Sequence, residues 1–104
     1  MTTYHLETEL VHAKATVRDE YGASVFPIYQ TAAYSHEDPQ DLADVFNGSK
    51  FGFSYSRIGN PSVAMYEQHV NQLEKGRGCI AFSTGLAAMN VIVDALTQPG
   101  DEII

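Results

Sequence analysis

Apolar positions recur at helical spacing in three stretches of this chain, and shorter apolar or aromatic runs separate them. The first stretch is Leu42, Val45 and Phe46. Asp38 precedes it as an N-cap, Pro39 suits the first helical position and Asp41 the first turn, and Gly48 is placed to end it. The second is Val63, Tyr66, Val70 and Leu73. It predicts a helix entered through Asn60-Pro61 that runs to about Lys75, stops at Gly76 and turns its apolar stripe to a core. The third is Leu86, Met89, Ile92, Val93 and Leu96, a helix opening at Gly85 and running into the stop Pro99-Gly100-Asp101. Just before it, Gly78–Phe82 is short, apolar and bounded by Gly and Ser, which predicts a buried strand.

The segments in front of these helices read as extended. Leu6, Leu10 and Val11 suit one face of a short helix, and Arg18–Gly22 an exposed turn. Pro27 pushes Phe26 out of helical geometry, so Val25–Ile28 is extended. Tyr29–Tyr34 continues in the same way. An arm this apolar must lie on the domain itself or on a neighbouring subunit. Phe51, Phe53 and Tyr55 alternate, as on one face of an extended segment. The reading is an α/β chain in two parts: an amino-terminal arm with a short helix over 1–60, and the start of an α/β domain over 61–104. At Glu102–Ile104 a new apolar strand begins, which predicts a fragment of a longer polypeptide.

Composition narrows the partners. Hydrophobic residues make up 44% and charged residues 18%, values of a globular rather than a disordered chain. Six basic residues against thirteen acidic ones give a net charge of −7. That argues against nucleic acid or an anionic membrane as partner, and leaves room for a small phosphorylated ligand. The single cysteine, Cys79, cannot close an internal disulfide and reads as a small buried apolar residue. His5, His12, His36 and His69 share no ligand-like spacing, so no metal site is expected. There is no signal-like apolar run at the N-terminus and no window of membrane-spanning length, and the expected location is cytoplasmic.

Two stretches carry chemistry. A strand–turn–helix at Gly78–Leu96 leaves the first helical N–H groups unpaired at the positive end of the helix dipole, where a phosphate fits. The Ser83 and Thr84 hydroxyls can add donors, and Gly85 lets backbone approach closely. An unoccupied helix end is the commoner case, so this stretch alone leaves both readings open. Tyr55 and Arg57, two apart, point the same way in an extended chain, and a phenol beside a guanidinium makes a phosphate clamp. A surface ion pair for Arg57 with a half-buried Tyr55 is the competing reading. Ala81–Gly85 also resembles a nucleophile elbow with Ser83 as a hydrolase nucleophile, although no acid and His follow in the order that fold requires. Lys14, Lys50 and Lys75 read as solvated surface charge, as do most of Glu37, Asp38, Asp41 and Asp44.

The motifs YSRIGNPS (Tyr55–Ser62), LEKG (Leu73–Gly76), AFSTGLAAMN followed by QPGDEII, and PIYQTAAY (Pro27–Tyr34) resemble the PLP-dependent trans-sulfuration enzymes of Cys/Met metabolism. The likeness runs in order from about His12 onward. Within the family the segment from Asp38 to Arg57 looks most like the O-acetylhomoserine sulfhydrylases, with methionine γ-lyases and cystathionine γ-synthases close behind. The resemblance implies the arm and the incomplete start of a fold type I large domain, with pyridoxal 5'-phosphate as cofactor and an amino acid as substrate. It implies that Thr84, Gly85 and Leu86 hold the cofactor phosphate. Tyr55 and Arg57 would reach the cofactor of an identical neighbouring subunit, in a homodimer or homotetramer. Thr84 stands where Ser is usual, Leu86 where Met is frequent and Ser62 where Thr is frequent. The family's Schiff-base lysine lies beyond Ile104, so no catalytic residue is expected in the chain, and the chain alone is expected to be inactive. A non-catalytic phosphate-binding or interaction module is the alternative.

Overall fold

The computed structural model describes residues 4–12 and 19–104. Lys14, read as surface charge, and Arg18, the start of the first turn, lie outside them. The rest of that turn forms: the Asp19 carboxylate accepts from the Tyr21 and Ala23 amides, and the Gly22 amide donates to the Asp19 carbonyl.

The described residues hold four helices, in chain order α1 (Leu6–Val11), α2 (Pro39–Phe46), α3 (Pro61–Leu73) and α4 (Gly85–Leu96). The last three begin as their sequences require. Asp38, Asn60 and Thr84 are extended at the N-cap, and each side chain accepts from a first-turn amide: Gln40 (2.8 Å), Ser62 (2.8 Å) and Ala87 (3.1 Å). Pro39 and Pro61 occupy the first helical position. α3 ends at Leu73, two residues short of the expected limit, because Lys75 turns into the left-handed region at φ 53°. The Gly76 amide then donates to the Asn71 carbonyl. α4 closes on Thr97, whose amide and hydroxyl both bond the Val93 carbonyl.

Two expectations are corrected. Gly78–Phe82 is extended but is neither paired nor buried: Ile80 is 73% exposed. A strand is defined by its ladder, and no described residue supplies a neighbour for this one. The second concerns the stripe on α3. Val63 and Tyr66 are exposed and Val70 and Leu73 only partly covered, since among the helices only α1 packs on α3.

The best-covered point is where the arm meets the start of α3. Among the described residues only Asn60 and Pro61 are buried. There the arm runs antiparallel to Ser54–Ser56 through a bridge between Ala33 and Tyr55. The Tyr34 amide donates to Ser54 (3.0 Å) and the Ser56 amide to Ala32 (2.9 Å). Tyr34 packs on Phe53 at 5.8 Å between ring centroids, and Phe51 meets Phe53 edge-on at 5.5 Å. Two of the alternating aromatics, Phe51 and Phe53, thus form a small cluster with Tyr34 of the arm.

Candidate phosphate-binding site

Tyr55 and Arg57 lie side by side, but not because the chain is extended through both. Tyr55 is the last residue paired with the arm, and a turn follows. The Ile58 and Gly59 amides both donate to the Tyr55 carbonyl (2.9 and 3.0 Å). Arg57 therefore sits inside the turn and folds back over the ring. Its guanidinium carbon is 5.1 Å from the Tyr55 ring centroid, and its Nη2 donates to the phenol oxygen at 3.3 Å. Stacking of a flat cation on an aromatic face fixes the guanidinium plane. Among the described residues the only ion pair is Lys50 with Asp41, at 2.6 Å, so no carboxylate neutralises Arg57. Among the described residues the surface ion-pair reading of Arg57 finds no partner. The phenol keeps its own proton to donate, and the guanidinium keeps further N–H groups.

At the start of α4, the Thr84 oxygen accepts from the Ala87 amide. The preceding two amides, Gly85 and Leu86, find no acceptor among the described residues. A Cβ built on Gly85 would meet nothing within 4 Å, so the space before these amides is open. Leu86 is 68% exposed. The donor set is two free backbone N–H groups and a threonine hydroxyl proton at the positive end of a 12-residue helix. That chemistry fits a phosphate. No hydrogen bond or ring contact joins this end of α4 to the Tyr55–Arg57 pair. The two donor groups are separate features of one chain.

Ser83 is exposed, and no hydrogen bond links its hydroxyl to a histidine or carboxylate, so the nucleophile reading gains nothing from the structure. Among the described residues no three His, Cys, Asp or Glu side chains converge as metal ligands, and no helix is long and apolar enough to cross a membrane.

The sequence reading missed two links. Glu67 on α3 accepts from the Ala81 amide at 2.8 Å, tying the extended segment before Thr84 to that helix. Asn60 does far more than cap α3. Its carboxamide nitrogen lies 3.0 Å from the Tyr29 carbonyl, 3.1 Å from the Tyr34 hydroxyl and 3.0 Å from Ser56 Oγ. The Ser62 hydroxyl accepts from the Tyr29 amide at 2.8 Å and reaches the Pro27 carbonyl at 3.4 Å. The polar residues of GNPS, at the start of a helix, gave one hint, but an N-cap role had already accounted for Asn60.

The sequence profile of the Cys/Met metabolism PLP-dependent enzymes matches residues 7–104. The chain belongs to that family. An L-methionine gamma-lyase of Pseudomonas deceptionensis is 33% identical over 101 residues, 97% of this chain and 25% of the relative. A cystathionine beta-lyase of Neurospora crassa is 37% identical over 101 residues, 97% of this chain and 20% of the relative. A structure assigned as an O-acetylhomoserine (thiol)-lyase of Campylobacter jejuni superposes with a TM-score of 0.82 at 31% identity, over 95% of this chain and 24% of that one. That structure contains N'-pyridoxyl-lysine-5'-monophosphate. The chain thus spans about a quarter of the length of the first relative and of the structural neighbour. The fold is the arm and the incomplete start of the α/β PLP-dependent transferase fold type I, and the family's cofactor is pyridoxal 5'-phosphate.

Proposed function

We propose that this chain supplies the phosphate anchor of a PLP-dependent enzyme of sulfur amino-acid metabolism. The observation that carries the reading is a set of donors without a full complement of acceptors among the described residues: the Gly85 and Leu86 amides at the α4 N-terminus, and Arg57 against Tyr55 with N–H groups to spare and no carboxylate beside it. Thr84, Gly85 and Leu86 hold the phosphate from one side. Tyr55 and Arg57 hold the phosphate of an identical neighbouring subunit, so the enzyme works as a dimer or a pair of dimers. The cofactor, once bound, withdraws electrons from the α-carbon of an amino acid. The residues of this chain fix where that cofactor sits and limit its rotation, which keeps the reacting bonds aligned.

Within the family we place the activity with the O-acetylhomoserine sulfhydrylases. The support is the likeness of the Asp38–Arg57 segment and the close superposition on the Campylobacter jejuni protein. Methionine γ-lyase and cystathionine lyase or synthase activities are the competing assignments. Feeding the native full-length polypeptide O-acetylhomoserine with sulfide or with cysteine, and separately methionine or cystathionine, separates them: homocysteine from the sulfide reaction as the main product supports the proposal, and faster formation of cystathionine, release of methanethiol or cleavage of cystathionine overturns it.

The anchor is tested by comparing pyridoxal phosphate with pyridoxal, which lacks the phosphate. The native polypeptide should bind the phosphorylated form at least tenfold more tightly. Arg57→Ala should remove roughly tenfold or more of that preference, the loss expected for hydrogen bonds to a charged group. Equal affinity for the two vitamers in the unaltered protein would sink the reading. Mixed oligomers of Arg57→Ala subunits with unaltered ones test the placement across subunits.

A further inference from the structure

Ser56 stands between the two clamp residues, and its amide and hydroxyl are both engaged. Its amide donates to Ala32 at 2.9 Å, its hydroxyl donates to the Thr31 carbonyl, and the same oxygen accepts from Asn60 at 3.0 Å. The Tyr55 carbonyl is held by the Ile58 and Gly59 amides. The Tyr55–Ser56 peptide, which lies between the two clamp residues, is therefore held at both its carbonyl and its amide. Neither of those side chains makes that connection itself: among the described residues their hydrogen bond is to each other.

Asn60 is the side chain on which these links converge. It is 9% exposed, the one buried polar residue among those described. Its two N–H protons face three acceptors, on Tyr29, Tyr34 and Ser56, so one proton is shared, and its oxygen is committed to the Ser62 amide. Arm, turn and helix meet on this one carboxamide. Buried hydrogen bonds of this kind specify a single arrangement, because an alternative would strand their donors and acceptors away from water.

We infer that Asn60 is a positioning residue for the Tyr55–Arg57 phosphate clamp: its carboxamide pins Ser56 to the arm and so sets the direction of both clamp side chains. The inference rests on the reading of that pair as a phosphate anchor. It adds that the aim of the pair is decided by a residue that touches no ligand.

Asn60→Asp tests it. Aspartate keeps an oxygen for the Ser62 amide, so α3 stays capped. It replaces the amide donor with an acceptor facing the Tyr29 carbonyl and the Ser56 hydroxyl. Two readouts are taken on the native full-length polypeptide. The first is the affinity ratio of pyridoxal phosphate over pyridoxal; the second is amide hydrogen exchange over residues 29–34 and 54–58. The ratio should fall about tenfold, the scale of one buried hydrogen bond lost with its partner left unpaired, and exchange should rise in both segments while far-ultraviolet dichroism holds. Ser56→Ala, which removes one link and keeps the cap, should give a smaller fall in the same ratio. A merely structural role would weaken pyridoxal binding in equal measure and leave the ratio unchanged, and that outcome overturns the inference. Should the unaltered protein fail to distinguish the two vitamers, the anchor reading falls. Hydrogen exchange then decides this inference by itself: unchanged protection over 54–58 in Asn60→Asp overturns it.

Discussion

Lys75 is the one described non-glycine residue with a positive φ, 53°, and it sits where α3 hands over to Gly76. A left-handed conformation costs a residue with a Cβ about 1–2 kcal/mol. Glycine removes that cost but brings a larger entropy loss on folding, about 0.5–1 kcal/mol. The difference leaves Lys75→Gly more stable by about 0.5 kcal/mol on these figures, while Lys75→Val, with a branched Cβ, is expected to be less stable than the native residue. Thermal unfolding of the native polypeptide and both variants should rank glycine above lysine above valine. Thr84 allows a similarly local test. Thr84→Ala removes the acceptor of the Ala87 amide and should destabilise α4 by about 1 kcal/mol, with Thr84→Ser close to native. Exchange of the Ala87 amide reads this directly, and unchanged protection in the alanine variant would show that the cap contributes nothing.

The elements show which parts of the fold are written locally. Asp38 and Asn60 were recognisable as caps because their partners lie two residues away, while Thr84, read only as a hydroxyl donor, also caps α4 through an amide three residues on. The closeness of Tyr55 and Arg57 was also legible, although a turn and not an extended chain brings it about. The second role of Asn60 was not, since its acceptors Tyr29 and Tyr34 are 31 and 26 residues distant. The bond from Ala81 to Glu67 spans 14 residues and is invisible for the same reason. Pairing of Gly78–Phe82 was misread because a strand's existence depends on a neighbour that its own pattern cannot supply. The arm follows from these distant links: it is attached chiefly by side chains of the segment that starts α3. Ser62→Ala should therefore release the Tyr29 amide from its 2.8 Å bond while leaving the α3 cap intact. Limited proteolysis should then cut near Pro27–Gln30 sooner than in the native protein. Equal rates would mean that the links through Asn60, Ser56 and the Ala33–Tyr55 bridge hold the arm without Ser62.

At the scale of the whole molecule the chain does not cover itself. Its accessible surface is 9141 Å², for a mass of 11.4 kDa. A folded monomer of that mass exposes about 5,800 Å². The radius of gyration, 17.2 Å, compares with about 13 Å for a compact domain of this length. The exposed surface includes large apolar side chains: Leu86, Met89, Ile92 and Leu96 of α4 are all exposed, and α4 touches no other described helix. On α3, His69 Nε2 and Asn71 Oδ1 are buried without partners, unusual for a finished core. The surplus of about 3,300 Å² is several times the roughly 800 Å² that a standard interface takes from one partner. One ordinary contact with another protein would leave most of it wet. Covering it calls for extensive packing against further polypeptide, of the scale found inside a domain. The 104-residue chain expressed by itself should then bind a hydrophobic dye strongly, unfold in urea over a broad range, and sediment as mixed oligomers through its unpaired extended segments. It should also show no turnover of amino acids with added pyridoxal phosphate. A sharp cooperative transition from a monomer that ignores the dye would contradict this, because it would require the exposed faces of α3 and α4 to find cover within the chain.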